Sequence, residues 1–205
     1  KVSDIENLET EVDKYEDVLG SYLVKLSNKD MTDSDSRRIS RILHTIGDFE
    51  RISDHAVNIK KAAQEMNEKG ISFSSEAKIE LNVLEEAIKR ILEISENAFE
   101  KNDVAEAKKV EPLEQVVNEL ARTVKSRHVE RLKNGICTIE LGFILSDLIN
   151  NYERIADHCS NIAIAIIEVN RGSFDTHGYI IDIKESKDGD YTNMYNEYRK
   201  TYALG

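Results

Sequence analysis

A ten-residue string occurs twice in this chain, about a hundred residues apart: Glu50-Arg-Ile-Ser-Asp-His-Ala-Val-Asn-Ile59 and Glu153-Arg-Ile-Ala-Asp-His-Cys-Ser-Asn-Ile162. Seven of the ten positions are identical. Each copy spaces Glu, Asp and Asn four residues apart and follows the Asp with His. On a helix that spacing stacks polar oxygens along one face, one turn apart. A chain carrying the pattern twice is expected to fold as two copies of one helical unit.

The duplication reaches further upstream. Ile5-Glu-Asn-Leu-Glu-Thr-Glu-Val-Asp13 parallels Val110-Glu-Pro-Leu-Glu-Gln-Val-Val-Asn118. Each unit therefore holds a helix with a polar pair (Glu9 and Asp13; Glu114 and Asn118) ahead of the helix with the strong string. Apolar residues at Ile5, Leu8, Val12, Tyr15, Leu19, Tyr22 and Leu26 keep a three/four spacing and predict an amphipathic helix over about 3–28. Asp33 or Ser34 is a candidate cap for a second helix that runs to Gly70. A third begins at Ser74 or Ser75 and ends near Lys101. A fourth is expected to open at Asp103 and close at Gly135, with Pro112 either kinking it or marking its true first turn. A fifth, capped by Thr138, runs to Gly172, and 173–205 reads as a tail with one or two short helices.

These segments divide into a first unit, 1–72, a second unit, 73–172, and the tail. The second unit has a helix, about 75–101, ahead of its polar pair, whereas in the first unit nothing precedes that pair. The expectation is that the chain is a piece of a longer protein that supplies this leading helix. Two helices of the first unit would then expose apolar faces, to be covered by a partner chain, by the tail or by a swapped element, which points to a homodimer.

Charge narrows the function. The formal net charge is −11, which argues against a nucleic-acid surface, since phosphate binding needs clustered cations. No stretch approaches the ~18–20 apolar residues of a membrane span. Cys137 and Cys159 are too few for a disulfide scaffold. The Glu50, Asp54, Asn58 strip supplies oxygen ligands at one-turn spacing, and a facing helix bearing Glu9 and Asp13 would bring four carboxylates together. Such a cluster raises its own pKa values unless a cation neutralises it. All-oxygen surroundings favour Fe, Mn, Mg or Ca over a structural zinc site. Arg51 and Arg154 follow the motif glutamates and are placed to orient an outer carboxylate. His55 and His158 are rotated ~100° from the preceding Asp, which fits helix packing or hydrogen bonding better than ligation. An acidic helix face is ordinarily just solvated, so a plain helical adaptor is the competing reading. A ferritin-like di-iron enzyme needs Glu-x-x-His, and here the residues three before each His are Arg41, Ile52, Lys125, Ile155 and Phe174.

The string Glu-Arg-Ile-Ser/Ala-Asp-His-x-x-Asn-Ile, repeated after about a hundred residues and paired each time with an upstream Glu-x-x-x-Asp/Asn helix, closely resembles the PhoU family of phosphate-transport regulators. The resemblance covers about residues 1–170. It implies an all-α fold of two pseudo-repeated three-helix bundles, the first lacking its leading helix here, and a non-enzymatic regulatory role. It also implies metal clusters, iron foremost, on Glu9, Asp13, Glu50 and Asp54 in the first unit and on Glu114, Glu153 and Asp157 in the second. Asn58, Asn118 and Asn161 would be weak or outer ligands, and Asn118, standing where a carboxylate is expected, would weaken the second site. Tyr22-Leu-Val-Lys-Leu-Ser27, Arg127-His-Val-Glu-Arg-Leu132 and Phe174-Asp-Thr-His-Gly-Tyr179 look like the PhoU-type domain appended to the membrane region of bacterial sodium/phosphate cotransporters. That likeness implies a cytoplasmic domain tethered to the inner membrane face, with the transporter's own membrane domain as partner and phosphate bound through the metal.

Overall fold

The computed structural model describes residues 2–171 and 189–205, and every regular element among them is a helix. In chain order these are α1 (Val2–Ser27), α2 (Asp33–Lys69), α3 (Ser75–Lys101), α4 (Val104–Ala107), α5 (Val110–Lys133), α6 (Ile139–Arg171) and α7 (Gly189–Thr201). Gly172 as a helix stop, the tail up to residue 188 and the Phe174–Tyr179 string lie outside the described residues.

Local chemistry sets the boundaries. Thr32 caps α2, its hydroxyl accepting from the Asp35 backbone N–H, so the cap falls one residue before Asp33 and two before Ser34, the positions the sequence offered. Gly70 ends α2 in the left-handed region at φ 62°, where a glycine carries no Cβ penalty. Ser74 caps α3 through the Ala77 N–H. The expected single helix from Asp103 is split. Asp103 caps only the one-turn α4, and α5 restarts at Val110 with Pro112 in its first turn, where the missing N–H has no helical partner to lose. The Thr138 hydroxyl accepts from the Leu141 N–H at the start of α6.

α1 and α2 form a helical hairpin, α3, α5 and α6 form a three-helix bundle, and α2 lies along α6, joining the two. The largest fully buried side chains all come from the second unit, including Leu84, Ile91, Leu113, Ile149 and Ile166. Phe49 of α2 meets Phe99 of α3 edge-on with ring centres 4.9 Å apart, and the Arg41 guanidinium lies 5.3 Å over the Phe99 ring. The first unit has no such interior: Leu8 is 59% and Tyr15 65% exposed, whereas their repeat counterparts Leu113 and Leu120 are 0% and 7%.

The described tail does not cover this face, contrary to one of the three covers expected from the sequence. α7 packs on α5 in the second unit, with the Tyr191 hydroxyl donating to Gln115, Tyr195 to Glu119, and Tyr198 and Tyr202 against the core.

Candidate functional site: two carboxylate stripes about a pseudo-twofold

The duplicated strings meet where α2 crosses α6. The His158 Nδ1 stands 2.8 Å from Asp48 Oδ1, and the His55 Nδ1 stands 2.8 Å from Asn151 Oδ1. Asp48 and Asn151 occupy the same place in the two copies, two residues before the string. Each histidine thus reaches across to the other unit's equivalent position. Both partners are acceptors, so each Nδ1 donates. Asn161 adds a second hydrogen bond to Asp48 at 3.0 Å. The rings of His55 and His158 stack on one another, centres 5.6 Å apart and 29° from parallel. Helical side chains lean toward their own N-terminus, and in an antiparallel pair that brings the two rings together. The histidines are hydrogen-bonding and packing residues, as their rotation from the Asp implied.

In the first unit α1 turns Ile5, Glu9, Val12, Glu16, Gly20 and Leu23 inward, a line at three/four spacing that is half-buried against α2 and ends at the buried Leu23. Asp13 stands exposed at its edge. Burial is the main cause that holds the Glu50 carboxyl above the usual carboxylate range, followed by Asp54 one turn on. Glu16 and Asp13 push the same way from α1, and only Arg51 opposes them. The Arg51 guanidinium lies 3.4 Å from both Glu50 and Asp54. Asp13 thus acts on Glu50 from the exposed edge of α1. Glu16, which the sequence motifs do not single out, acts on it too, from seven residues after Glu9 and therefore on the same inward line. The buried Lys60 ammonium is engaged by Glu6 at 2.6 Å, ten residues before Glu16.

The second unit answers the same motif differently. Lys125 of α5 places its ammonium 2.6 Å from Glu153 Oε2 and 2.9 Å from Asn150 Oδ1. Glu114 is buried and accepts from the Asn118 amide at 2.5 Å. Arg154 holds Asp157 at 3.2 Å, repeating the Arg51–Asp54 contact. One turn before Glu114, the Ser160 hydroxyl of α6 donates to Glu111 at 2.6 Å. Tyr191 of the tail lies close enough for Glu111 and Glu114 to help raise its phenol, though burial is the larger cause. Asn58 and Asn161 both sit exposed at the far ends of their strips.

Among the described residues no three His, Cys, Asp or Glu side chains already stand at metal-ligand spacing. The donor chemistry still separates the two stripes. The first gathers carboxylates that repel one another and fits a hard or borderline cation. The second already carries an ammonium against its motif glutamate and does not fit one.

A separate cavity of about 630 Å³ opens between the start of α3 and the end of α5. Glu80 on its wall is buried and takes both guanidinium nitrogens of Arg131, at 3.0 and 2.8 Å, with Arg127 at 3.3 Å. One carboxylate thus engages both arginines. Both cysteines are free, and burial pushes the Cys159 thiol up to about 12.

A family profile described as the PhoU domain matches residues 1–63 and 81–166, which takes in both copies of the duplicated string. The phosphate-specific transport system accessory protein PhoU homolog 1 of Thermotoga maritima is 27% identical over 136 residues, 66% of this chain. The chain spans 58% of that relative's length. The crystal structure of PhoU from Pseudomonas aeruginosa superposes with a TM-score of 0.76 at 22% identity, over 84% of this chain and 82% of that one. At that identity the superposition speaks for the fold. No described helix is long and apolar enough to cross a membrane.

Proposed function

The chain belongs to the PhoU family, and from that premise we propose that it is a non-enzymatic regulatory domain acting on phosphate transport. The observation that carries this is the match of one family profile to both repeats, with the motif residues of each repeat gathered about the α2–α6 crossing. Its partner on this reading is a phosphate-transport protein at the inner face of the cell membrane.

The regulatory element is the first stripe, where Asp13, Glu16, Glu50 and Asp54, with Glu9 one turn above, would hold a divalent ion, iron foremost and Mn, Mg or Ca otherwise. Such an ion would supply an electrophilic centre able to accept a phosphate oxygen. The carboxylates' part is to fix its place and to leave Arg51 beside it. Two features favour this: the acidic neighbours Asp54, Glu16 and Asp13 that add to burial in raising Glu50, and the absence of sulfur donors from the stripe.

Two arrangements bring the domain to its partner. It is either joined to the membrane domain of a sodium/phosphate cotransporter or a separate regulator of the PhoU type, and the relative bearing an accessory protein's name favours the second. Radiolabelled phosphate uptake tests the function. In cells carrying Glu50→Gln with Asp54→Asn, uptake is expected to lose its response to phosphate supply while the protein level holds. Unchanged regulation would sink the proposal. An immunoblot of membrane and soluble fractions decides between the arrangements: a band carrying the extra mass of a membrane domain supports the joined form.

A further inference from the structure

The two repeats present the same Glu–Asp pair to a neighbouring helix, Glu50 and Asp54 in one and Glu153 and Asp157 in the other. What faces each pair differs at successive positions. Where α1 has Asp13, Glu16 and Gly20, the corresponding positions of α5 have Asn118, Ala121 and Lys125. Two negative charges are thus absent from the second stripe and one positive charge is added. That charge is spent on the stripe itself: the Lys125 ammonium bridges Glu153 and Asn150 at 2.6 and 2.9 Å. Asn118 meanwhile occupies the Glu114 carboxylate.

We propose that Lys125 is a built-in cation standing in the metal's place in the second stripe, so that one copy of the duplicated ligand set is open to a divalent ion and the other is closed. An ammonium and a divalent ion compete for the same carboxylate oxygens, and the ammonium is tethered, so it is always present at the site. Gly20 is the complementary feature. It faces α2 on the inward line of α1, and a Cβ built there meets nothing within 4 Å. The open character of the first stripe therefore comes from which residue stands at this position, not from any lack of room for a side chain. The inference rests on the reading of the first stripe as the ion-holding one, and the two fail separately.

The test is equilibrium dialysis of the full chain against Mn²⁺, followed by elemental analysis, with circular-dichroism melting as the check on folding. Mn²⁺ serves because it takes oxygen ligands and is stable in air. Lys125→Met is expected to gain a metal equivalent that a further Glu153→Gln removes. Gly20→Lys is expected to lose what the unaltered chain holds. If Lys125→Met gains nothing, or if Glu153→Gln lowers the metal content of the otherwise unaltered chain, Lys125 does not close the second stripe. If the unaltered chain holds no manganese while Lys125→Met gains a Glu153-dependent equivalent, the first-stripe reading fails and the role of Lys125 stands.

Discussion

Toward α2, α1 carries Glu9, Glu16 and Gly20 on its inward line with Asp13 at the exposed edge, and the matching positions of α5 hold Glu114, Ala121, Lys125 and Asn118. Both look onto a Glu–Asp pair followed by a histidine that crosses to the other repeat. The crossing needs nearly identical residues, because each histidine must find an acceptor at the equivalent place on an antiparallel helix. The stripes carry no such mutual constraint, and there the copies have parted, one accumulating repulsion and the other cancelling it. Motif identity in a duplicated domain thus reports on the packing between copies more securely than on the charge state of each site.

Packing separates the two units more sharply than charge does. Leu8 and Leu113 are repeat counterparts, one 59% exposed and the other fully buried among α3, α5 and α6. Leu113→Ala is expected to cost about 2–5 kcal/mol in urea unfolding, through lost burial and the cavity left behind. Leu8→Ala should stay within about 0.5 kcal/mol. Equal losses would mean that the α1 face is covered in solution. A dependence of the Leu8→Ala effect on protein concentration would identify a second copy of the chain as the cover.

Much of this was legible in the sequence. The expected spans of four of the five long helices lie within a few residues of the observed ones, whereas the fourth in chain order starts seven residues later, at Val110. Amphipathic periodicity is a local signal that packing here reinforces. Pro112 was readable as a first-turn residue, but whether it opened or bent a helix depended on Asp103 capping a separate turn. Glu16 lies outside the Glu-x-x-x-Asp pair and shows only on the inward line that it shares with Glu9. Lys125 escaped for a different reason. Its importance is a relation between α5 and α6, and no one-dimensional spacing shows that its ammonium reaches Glu153. The same holds for Asp48 and Asn151, which stand outside the repeated string and acquire meaning only when the two helices cross.

The crossing offers a smaller effect. Asp48 accepts from His158 and Asn161 with a full carboxylate charge, whereas Asn151 accepts from His55 as a neutral amide. Asp48→Ala is expected to destabilise by about 1.5–3 kcal/mol, in the range of hydrogen bonds to charged groups. Asn151→Ala should lose about 0.5–1.5 kcal/mol, as a neutral hydrogen bond does. Denaturation curves of the two variants, read side by side, check the ranking. If Asn151→Ala proves the more damaging, the charge on Asp48 contributes little and the crossing is held by shape alone.

The smallest expected effect is the most discriminating, because the two stripes should answer the same substitution with opposite signs. In metal-free buffer at pH 7, Glu50→Gln removes a carboxylate that Asp54 repels, and like charges one turn apart destabilise a helix by about 0.2–0.5 kcal/mol. Glu50→Gln should therefore stabilise the chain by that order. Glu153→Gln instead breaks the pair with Lys125, in which both side chains are partly exposed, and should lose no more than about 1 kcal/mol. Acid separates them further. Glu50 takes up its proton at a higher pH in the folded chain than in the unfolded one. Its contribution is accordingly full below the ordinary glutamate value of about 4.3 and is lost as pH rises through the raised folded value. On lowering the pH from 7 through that window, the unaltered chain should gain on Glu50→Gln until the advantage of the variant disappears. Urea unfolding of both variants at pH 7 and at pH 5 measures this. A shift of the same sign at the two glutamates would show that the first stripe is as well neutralised as the second.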